Sequence, residues 1–393
     1  MLDLDTSPAS ALPSDADAAL VGRLFRPEVN GPSVVKIAGD RLIDVSATFP
    51  TVRDLCETPD PAAALKAAPG EDVGSLAEVL AATPARPRDA GKPYLLSPVD
   101  LQAIKAAGVT FAASMLERVI EERARGNADA AAAIRTHIRE LVGEDLRRLR
   151  PGSPEAMALK DTLVREGAWS QYLEVGIGPD AEIFTKAQPM SSVGTLADIG
   201  VHPKSTWNNP EPEVVLVVSS TGSIVGATLG NDVNLRDVEG RSALLLGKAK
   251  DNNASAAIGP FLRLFDGAFT LDTVRRMDLT LDVLGEDGFH LQGRSSLSEI
   301  SRDPADLVAQ TLNAHHRYPD GFVLYLGTMF APVDDRDAPG RGFTHKHGDI
   351  VRIAAPALGT LVNRVVATDE AEPWTFGVAA LMRNLADRRL LGT

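Results

Sequence analysis

The stretch Glu211-Pro212-Glu213-Val214-Val215-Leu216-Val217-Val218 decides the fold, together with the break Ser219-Ser220-Thr221-Gly222-Ser223 and the run Ile224-Val225-Gly226-Ala227-Thr228-Leu229-Gly230-Asn231-Asp232. Two runs rich in β-branched residues flank a polar, glycine-containing break, the pattern of an antiparallel hairpin. With Thr221-Gly222 as a two-residue turn, Glu211 lies opposite Asp232, and Glu213, two residues along, points to the same face. Three carboxylates then converge from neighbouring strands. Packed that closely they repel unless a hard divalent cation neutralises them. For an isolated Glu-x-Glu, a solvated acidic sheet end is the better reading. The apolar run beside it, which reads as a strand buried on both faces, favours the cation.

The chain of 393 residues is long enough to bury a large core in one big domain or two ordinary ones. A hydrophobic content of 44% is ordinary for a globular protein, and the net charge of −13 argues against a nucleic-acid or anionic-membrane partner. That charge does not argue against a small anionic substrate, because a bound cation and a few lysines reverse the field locally. The single cysteine, Cys56, excludes an internal disulfide, fits a reducing compartment and reads as a small buried apolar side chain. The start of the chain lacks the basic and apolar regions of a secretory signal, and no apolar run approaches a membrane span. The expected location is cytoplasmic.

Along the chain, composition predicts a disordered segment over 1–18 and a small N-terminal α+β domain over 19–95. The Pro-rich stretch 84–98 reads as a linker. Residues 96–393 form the expected catalytic part, interrupted by a helical insertion at about 115–170. Within it, 111–125 and 129–149 read as helices, and Pro154, after a Pro-Gly-Ser break, opens a third that runs to about 166. The chain is strand-rich from 181 to about 366 and closes on a helix over 376–390. The predicted class is α+β with a mainly β core.

The residues around the carboxylate cluster resemble the fumarylacetoacetate hydrolase family, and the resemblance runs over roughly residues 95 to 370. The family carries Glu-x-Glu on one strand, then Asn-Asp-x-x-x-Arg-Asp, then a lysine, then Gly-Pro. Here these are Glu211 and Glu213, Asn231 to Asp237, Lys250, and Gly259-Pro260. The segment Phe184-Thr185-Lys186-Ala187-Gln188-Pro189 is similar to the family's lysine-bearing stretch, and Gly327-Thr328-Met329 to its substrate-capping threonine. The resemblance implies a distorted β-sandwich roll with peripheral helices, a homodimer or homotetramer, and a 2-oxo acid as substrate. It also implies a divalent metal held by Glu211, Glu213 and Asp232. Three carboxylates with open positions suit Mg²⁺ best, with Mn²⁺ or Ca²⁺ as alternatives, and suit zinc poorly. Arg236, Lys186 and Thr328 are then expected to bind substrate. Lys250 is expected beside the metal, where it balances substrate charge or, with a depressed pKa, moves protons. For Lys250 a surface position is the alternative, better suited to its neighbour Lys248; for Arg236 the alternative is an internal salt bridge with Asp237. His345 and His347 are expected to be structural or superficial, because the family's metal site uses no histidine.

Two departures bear on the reaction. Hydrolases of the family carry Gly-x-Asn-Tyr-x-x-His-x-x-Glu, where a His-Glu pair activates water. The matching stretch, from Gly108 to Glu117, keeps the glycine and the glutamate but places Ser114 where the histidine belongs. After Arg236-Asp237-Val238, Glu239 stands where hydrolases often carry glutamine. The site loses a hydrolytic base and gains an acid/base candidate, so Glu117 and Glu239 are the predicted proton carriers and Ser114 a substrate contact. The stretches Trp207-Asn208-Asn209-Pro210 and Lys250-Asp251-Asn252-Asn253 are similar to those of the family's sugar-acid dehydratases, and Asn208, Asn209 and Asn253 suit a hydroxylated substrate. The leading expectation is a dehydratase that converts a 2-keto-3-deoxy-pentonate of D-xylonate or D-arabinonate origin to 2-oxoglutarate semialdehyde. A diketo-acid or acylpyruvate hydrolase is the second reading, and a non-catalytic oxo-acid-binding module the third.

Overall fold

The computed structural model describes residues 2–84, 88–111, 115, 149–167, 169–330, 332, 334–337 and 342–391. At its centre is the hairpin. The strand Pro212–Val218 pairs antiparallel with Ile224–Asp232, with Pro212 opposite Asn231 and Glu213 opposite Gly230. Asp232 N–H donates to Glu211 O at 3.0 Å, which extends the same register to the carboxylate pair. The turn differs from the expected one. Ser219 N–H donates to Ser223 O at 2.9 Å around a three-residue loop, and Gly222 takes a φ of +88° that a side chain would resist. Val217 faces Gly226 while Val218 faces Ile224, so Val225 is an extra residue bulging from the second strand. The longer loop and the bulge offset each other, and the register at the carboxylates is the one a two-residue turn would have set.

Val214 to Val218 are all fully buried because both faces of their strand are covered. Val214, Leu216 and Val218 pack into a core shared with Leu279, Leu281, Val283 and Ile353 of a second sheet. Val215 and Val217 face the opposite way, onto Val52, Leu55 and Leu65 of two short helices, Val52–Cys56 and Pro61–Ala67. A continuous apolar run, rather than an alternating one, is the sequence form of such a strand.

Among the described residues the large sheet has eleven strands, one of which, Tyr94–Leu96, pairs with Leu20–Arg26 off the main order, and the hairpin lies in its middle. On one side follow Phe322–Tyr325, Ala103–Gly108 (parallel to it) and Glu182–Ala187. On the other side follow Ala256–Leu264, Leu20–Arg26, Gly31–Ala38, Arg41–Asp44 and Glu71–Ser75. The boundary expected near residue 95 therefore falls within one continuous sheet, closed by pairing between Leu20–Arg26 and Ala256–Leu264. Among the described residues the second sheet has five strands, ordered His290–Ser296, Asp278–Leu284, Ile350–Ala355, Gly359–Ala367 and Asp198–Val201. The class is α+β with a mainly β core, as expected.

The N-terminal segment differs from its expectation of disorder. Residues Pro8–Ala11 form a helical turn, Ser14 N–H donates to Pro356 O at 2.9 Å, and Asp15 pairs with Arg263 at 2.5 Å. Its few apolar side chains, Leu2, Leu4, Ala11 and Leu12, find a cluster with Ile350 and Val362, a partner that composition does not reveal. Of the expected insertion, the helix Pro154–Arg165 forms with Ser153 as its cap, and Gln171–Ile177 follows it. The two helices expected before it lie, apart from residues 111, 115 and 149, outside the described residues, as do Ser114 and Glu117. The closing helix is Val378–Asp387.

Candidate active site and metal centre

Five strand ends meet at one edge of the large sheet. The strand Pro212–Val218 begins there and its neighbour ends there, which brings Glu211, Glu213 and Asp232 together. Each offers an oxygen within 4.8 Å of the other two, and their relative exposures are 6%, 2% and 2%. Ala103–Gly108 and Phe322–Tyr325 end at the same edge, and Glu182–Ala187 starts there. The cleft they frame is lined by Glu182, Asn209, Arg236, Glu239, Lys250 and Thr328 besides the three carboxylates. Of the expected metal ligands, proton carriers and substrate contacts inside the described region, Lys186, Asn208 and Asn253 do not line this cleft and the rest do; Lys186 lies beneath it.

Lys186 gets there through a bulge. Thr185 faces Lys105 and Ala187 faces Ile104, which leaves Lys186 without an opposing residue and turns its side chain inward. The fully buried ammonium donates to Lys250 O at 2.6 Å, Val233 O at 3.0 Å and Ser255 Oγ at 3.4 Å. It also lies 2.8 Å from Asp232 Oδ1, an ion pair between two buried groups. Lys250, at the end of the short helix Leu246–Lys250, bridges Glu211 Oε2 at 2.5 Å and Asp232 Oδ2 at 2.9 Å. Lys248, by contrast, is exposed.

The electrostatics divide the two lysines. Burial lowers the pKa of Lys186 despite the adjoining Asp232. Burial also acts against Lys250, but Asp232, Glu211 and Glu239 outweigh it and hold that lysine firmly protonated. The lysine with depressed basicity is therefore Lys186, and Lys250 keeps only the charge-balancing role of the two expected for it. Burial raises the pKa of Glu213 well above the usual carboxylate range, and Asp232 and Glu211 push it further. For Asp232 burial acts in the same sense, but the two lysines prevail and keep it ionised.

The remaining oxygens are held from behind. Gly327 N–H donates to Glu213 Oε2 at 2.7 Å. Asn234 Nδ2 donates to both Glu211 Oε1 at 3.1 Å and Glu239 Oε2 at 2.6 Å, which ties the glutamate after the arginine motif to the Glu211 carboxylate. Arg236 lies over Trp207, its guanidinium carbon 4.3 Å from the ring centroid. The Asp237 carboxylate accepts from Ser205 Oγ at 2.8 Å and Thr206 N–H at 2.9 Å. Asn209 lines the cleft, whereas Asn208 accepts from His345 N–H and Asn253 donates to Thr368 O, both structural bonds. His345 is buried and His347 is on the surface beside Glu370.

The donor set fits a hard divalent cation: three buried carboxylates whose oxygens converge within 4.8 Å, with no sulfur or imidazole among them. Glu182 is the cleft residue that sequence reasoning missed. It opens its strand directly against Gly108, a neighbour whose lack of a side chain is what makes room for it. No motif marks it; only the pairing of the two strands does.

Residues 176–366 match the family model described as "Fumarylacetoacetate (FAA) hydrolase C-terminal". A protein of Saccharolobus solfataricus described as "2-dehydro-3-deoxy-D-arabinonate dehydratase" is 33% identical over 187 residues, 47% of this chain and 58% of that protein. A "Probable 2-keto-3-deoxyxylonate dehydratase" of Haloferax volcanii is 30% identical over 194 residues, 49% of this chain and 63% of that protein. The chain thus spans less than two thirds of either relative. Among solved structures, "2-keto-3-deoxy-D-arabinonate dehydratase complexed with magnesium and 2,5-dioxopentanoate" superposes with a TM-score of 0.60 at 21% identity, over 88% of this chain and 99% of that one. That likeness is one of fold.

Proposed function

We infer, from a chain whose residues 176–366 match the fumarylacetoacetate hydrolase family model, a divalent-metal-dependent dehydratase of that family acting on a 2-keto-3-deoxy-pentonate. The observation that carries this reading is the company the metal-binding carboxylates keep: two further carboxylates, Glu182 and Glu239, line the same cleft. Elimination of water needs one group to take a proton from C3 and another to protonate the departing C4 hydroxyl. Two relatives described as dehydratases of 2-keto-3-deoxy-pentonates agree with it.

Glu211, Glu213 and Asp232 would hold the cation, with Mg²⁺ or Mn²⁺ suiting the donor set best. When bound, it supplies Lewis acidity toward the oxygens of a 2-oxo acid. The chain's own residues supply the rest. Arg236, braced on Trp207, meets a carboxylate with its planar fork. Lys250, kept protonated, offsets the negative charge that builds as the C3 proton leaves. Glu182 and Glu239 are the base and acid in the described region, and Glu239 has its orientation set by Asn234. Thr328 caps the substrate. Tautomerisation of the dehydrated product yields the C5 aldehyde.

The test is product identity. Incubation with Mg²⁺ and 2-keto-3-deoxy-pentonates, and separately with acylpyruvates, is followed by mass spectrometry. Loss of one water from the pentonate is the expected result. Cleavage of an acylpyruvate with water added, and an untouched pentonate, would replace this reading with a hydrolase.

A further inference from the structure

The peptide that joins Leu326 to Gly327 is held at both ends. Its N–H, on Gly327, donates to Glu213 Oε2 at 2.7 Å. Its carbonyl, on Leu326, points the opposite way and accepts from Thr110 Oγ1 at 2.7 Å. N–H and C=O of one trans peptide are antiparallel and rigidly coplanar, so fixing one end aims the other. Gly327 itself has a φ of +85°, and a β-carbon there would lie 2.1 Å from Thr110 Oγ1. The hydroxyl fills the space that the missing side chain leaves.

Thr110 is in turn over-determined. It is 1% exposed, and its own carbonyl accepts from Ser301 N–H and Ser301 Oγ, both at 2.8 Å. Val109, immediately before it, has a φ of +53°. A β-branched residue adopts that region only where surrounding contacts impose it. The strained turn carries the chain from the cleft wall at Gly108 into the buried position where the hydroxyl meets Leu326.

The geometry points to Thr110 as a positioning residue for the metal centre: its hydroxyl sets the tilt of the Leu326–Gly327 peptide, and through that peptide the position of the Glu213 carboxylate. Thr328, the next residue, lines the cleft. This rests on the reading of Glu211, Glu213 and Asp232 as metal ligands. Thr110 touches none of the three and is not itself a ligand; it acts on the oxygen that Glu213 presents. Groups that orient ligands from behind in this way are typically worth about 10–100-fold in metal affinity.

The test compares Thr110→Val, which keeps the volume and removes the hydroxyl, with Thr110→Ser, which keeps the hydroxyl. Two quantities are read: Mn²⁺ affinity of the metal-free full-length protein by electron paramagnetic resonance, and hydrogen exchange of the segment around Gly327 without metal. Thr110→Val should bind Mn²⁺ about 10-fold or more weakly and exchange faster around Gly327, while Thr110→Ser behaves as the wild type. Should Thr110→Val not fold by circular dichroism, Thr110→Ala carries the same expectation. A folded variant without the hydroxyl that binds Mn²⁺ as the wild type does would overturn the proposal and leave the metal reading standing. A wild-type protein that binds no divalent ion would remove the metal reading and this proposal with it.

Discussion

A β-carbon built on Gly108 would lie 2.0 Å from the carboxylate oxygen Oε2 of Glu182. Gly108 sits at the end of an ordinary strand, outside the left-handed region, so alanine is tolerable to its backbone. What must move is the far end of the Glu182 side chain, which is cheap for stability and decisive for its position in the cleft. Gly108→Ala should therefore melt close to the wild-type temperature and lose turnover. If Glu182 carries a proton in the reaction, the loss should approach that of Glu182→Gln, on the order of 10²–10⁴-fold. Thermal melts with steady-state kinetics check both halves; unaltered kcat in Gly108→Ala and Glu182→Gln would leave Glu239 as the acid/base in the described region.

Glu213 has the raised pKa of a buried carboxyl pressed by two others, first by burial and then by Asp232 and Glu211. In metal-free protein glutamine is thus close to isosteric and isoelectronic with the form it replaces. Glu213→Gln should fold normally without metal and yet lack activity. Saturating Mg²⁺ or Mn²⁺ should raise the melting temperature of the wild type, since a ligand at 100 times its Kd stabilises by about 2.7 kcal/mol. The variant should show little of that rise. Full turnover in EDTA-treated wild-type protein would sink the metal site.

Legibility in the sequence depended on whether the decisive contact is local. The register of Glu211 and Asp232 is implied by the two apolar runs, and it holds despite a different turn because Val225 bulges to compensate for a longer loop. Burial on both faces of Val214 to Val218 is likewise written into an unbroken apolar run. Lys186 is placed by resemblance, but the bulge that turns it under Asp232 has no sequence mark. Glu182 is illegible for a similar reason, since its place depends on a glycine some seventy positions away (182 minus 108) across a strand pair. The docking of Leu2, Leu4 and Ala11 has no local signal because the surface that receives them includes Ile350 and Val362, from the far end of the chain.

Arg236 offers a conservative test of the substrate handle. Its guanidinium carbon lies 4.3 Å from the Trp207 ring centroid, a contact that a lysine ammonium reproduces poorly. Arg236→Lys keeps the charge but loses both the plane and the fork that meets a carboxylate. A charge-assisted hydrogen bond is worth about 1.5–3 kcal/mol, so kcat/KM should fall roughly ten- to a hundredfold. Unchanged kinetics would make Arg236 a structural partner of its neighbours.

His345 makes a prediction about pH that is independent of the metal. Its ring is buried edge-on against Phe343, 5.1 Å between centroids, with Nδ1 3.5 Å from Asp349 Oδ2. Burial lowers its pKa from the ordinary 6.5 and the charge of Arg336 pushes the same way, while Asp349 only partly opposes them. The folded protein therefore keeps this histidine neutral at a pH where the unfolded chain binds a proton. Stability follows the difference in bound protons, so it is intact above about pH 6.5 and falls as the pH drops below that, until the folded-state pKa is reached. The slope from one such group is at most about 1.4 kcal/mol per pH unit. Asp349, lowered chiefly by Arg336 against the effect of burial, contributes in a separate and more acidic window, lost as the pH falls below its ordinary 3.8. His345→Gln removes the imidazole and keeps the backbone N–H that donates to Asn208 Oδ1 at 3.1 Å. Urea unfolding at pH 7.5 and 5.5 should show the wild type losing more stability on acidification than the variant does. Equal losses in the two proteins would mean that the imidazole is already protonated in the folded state, paired with Asp349.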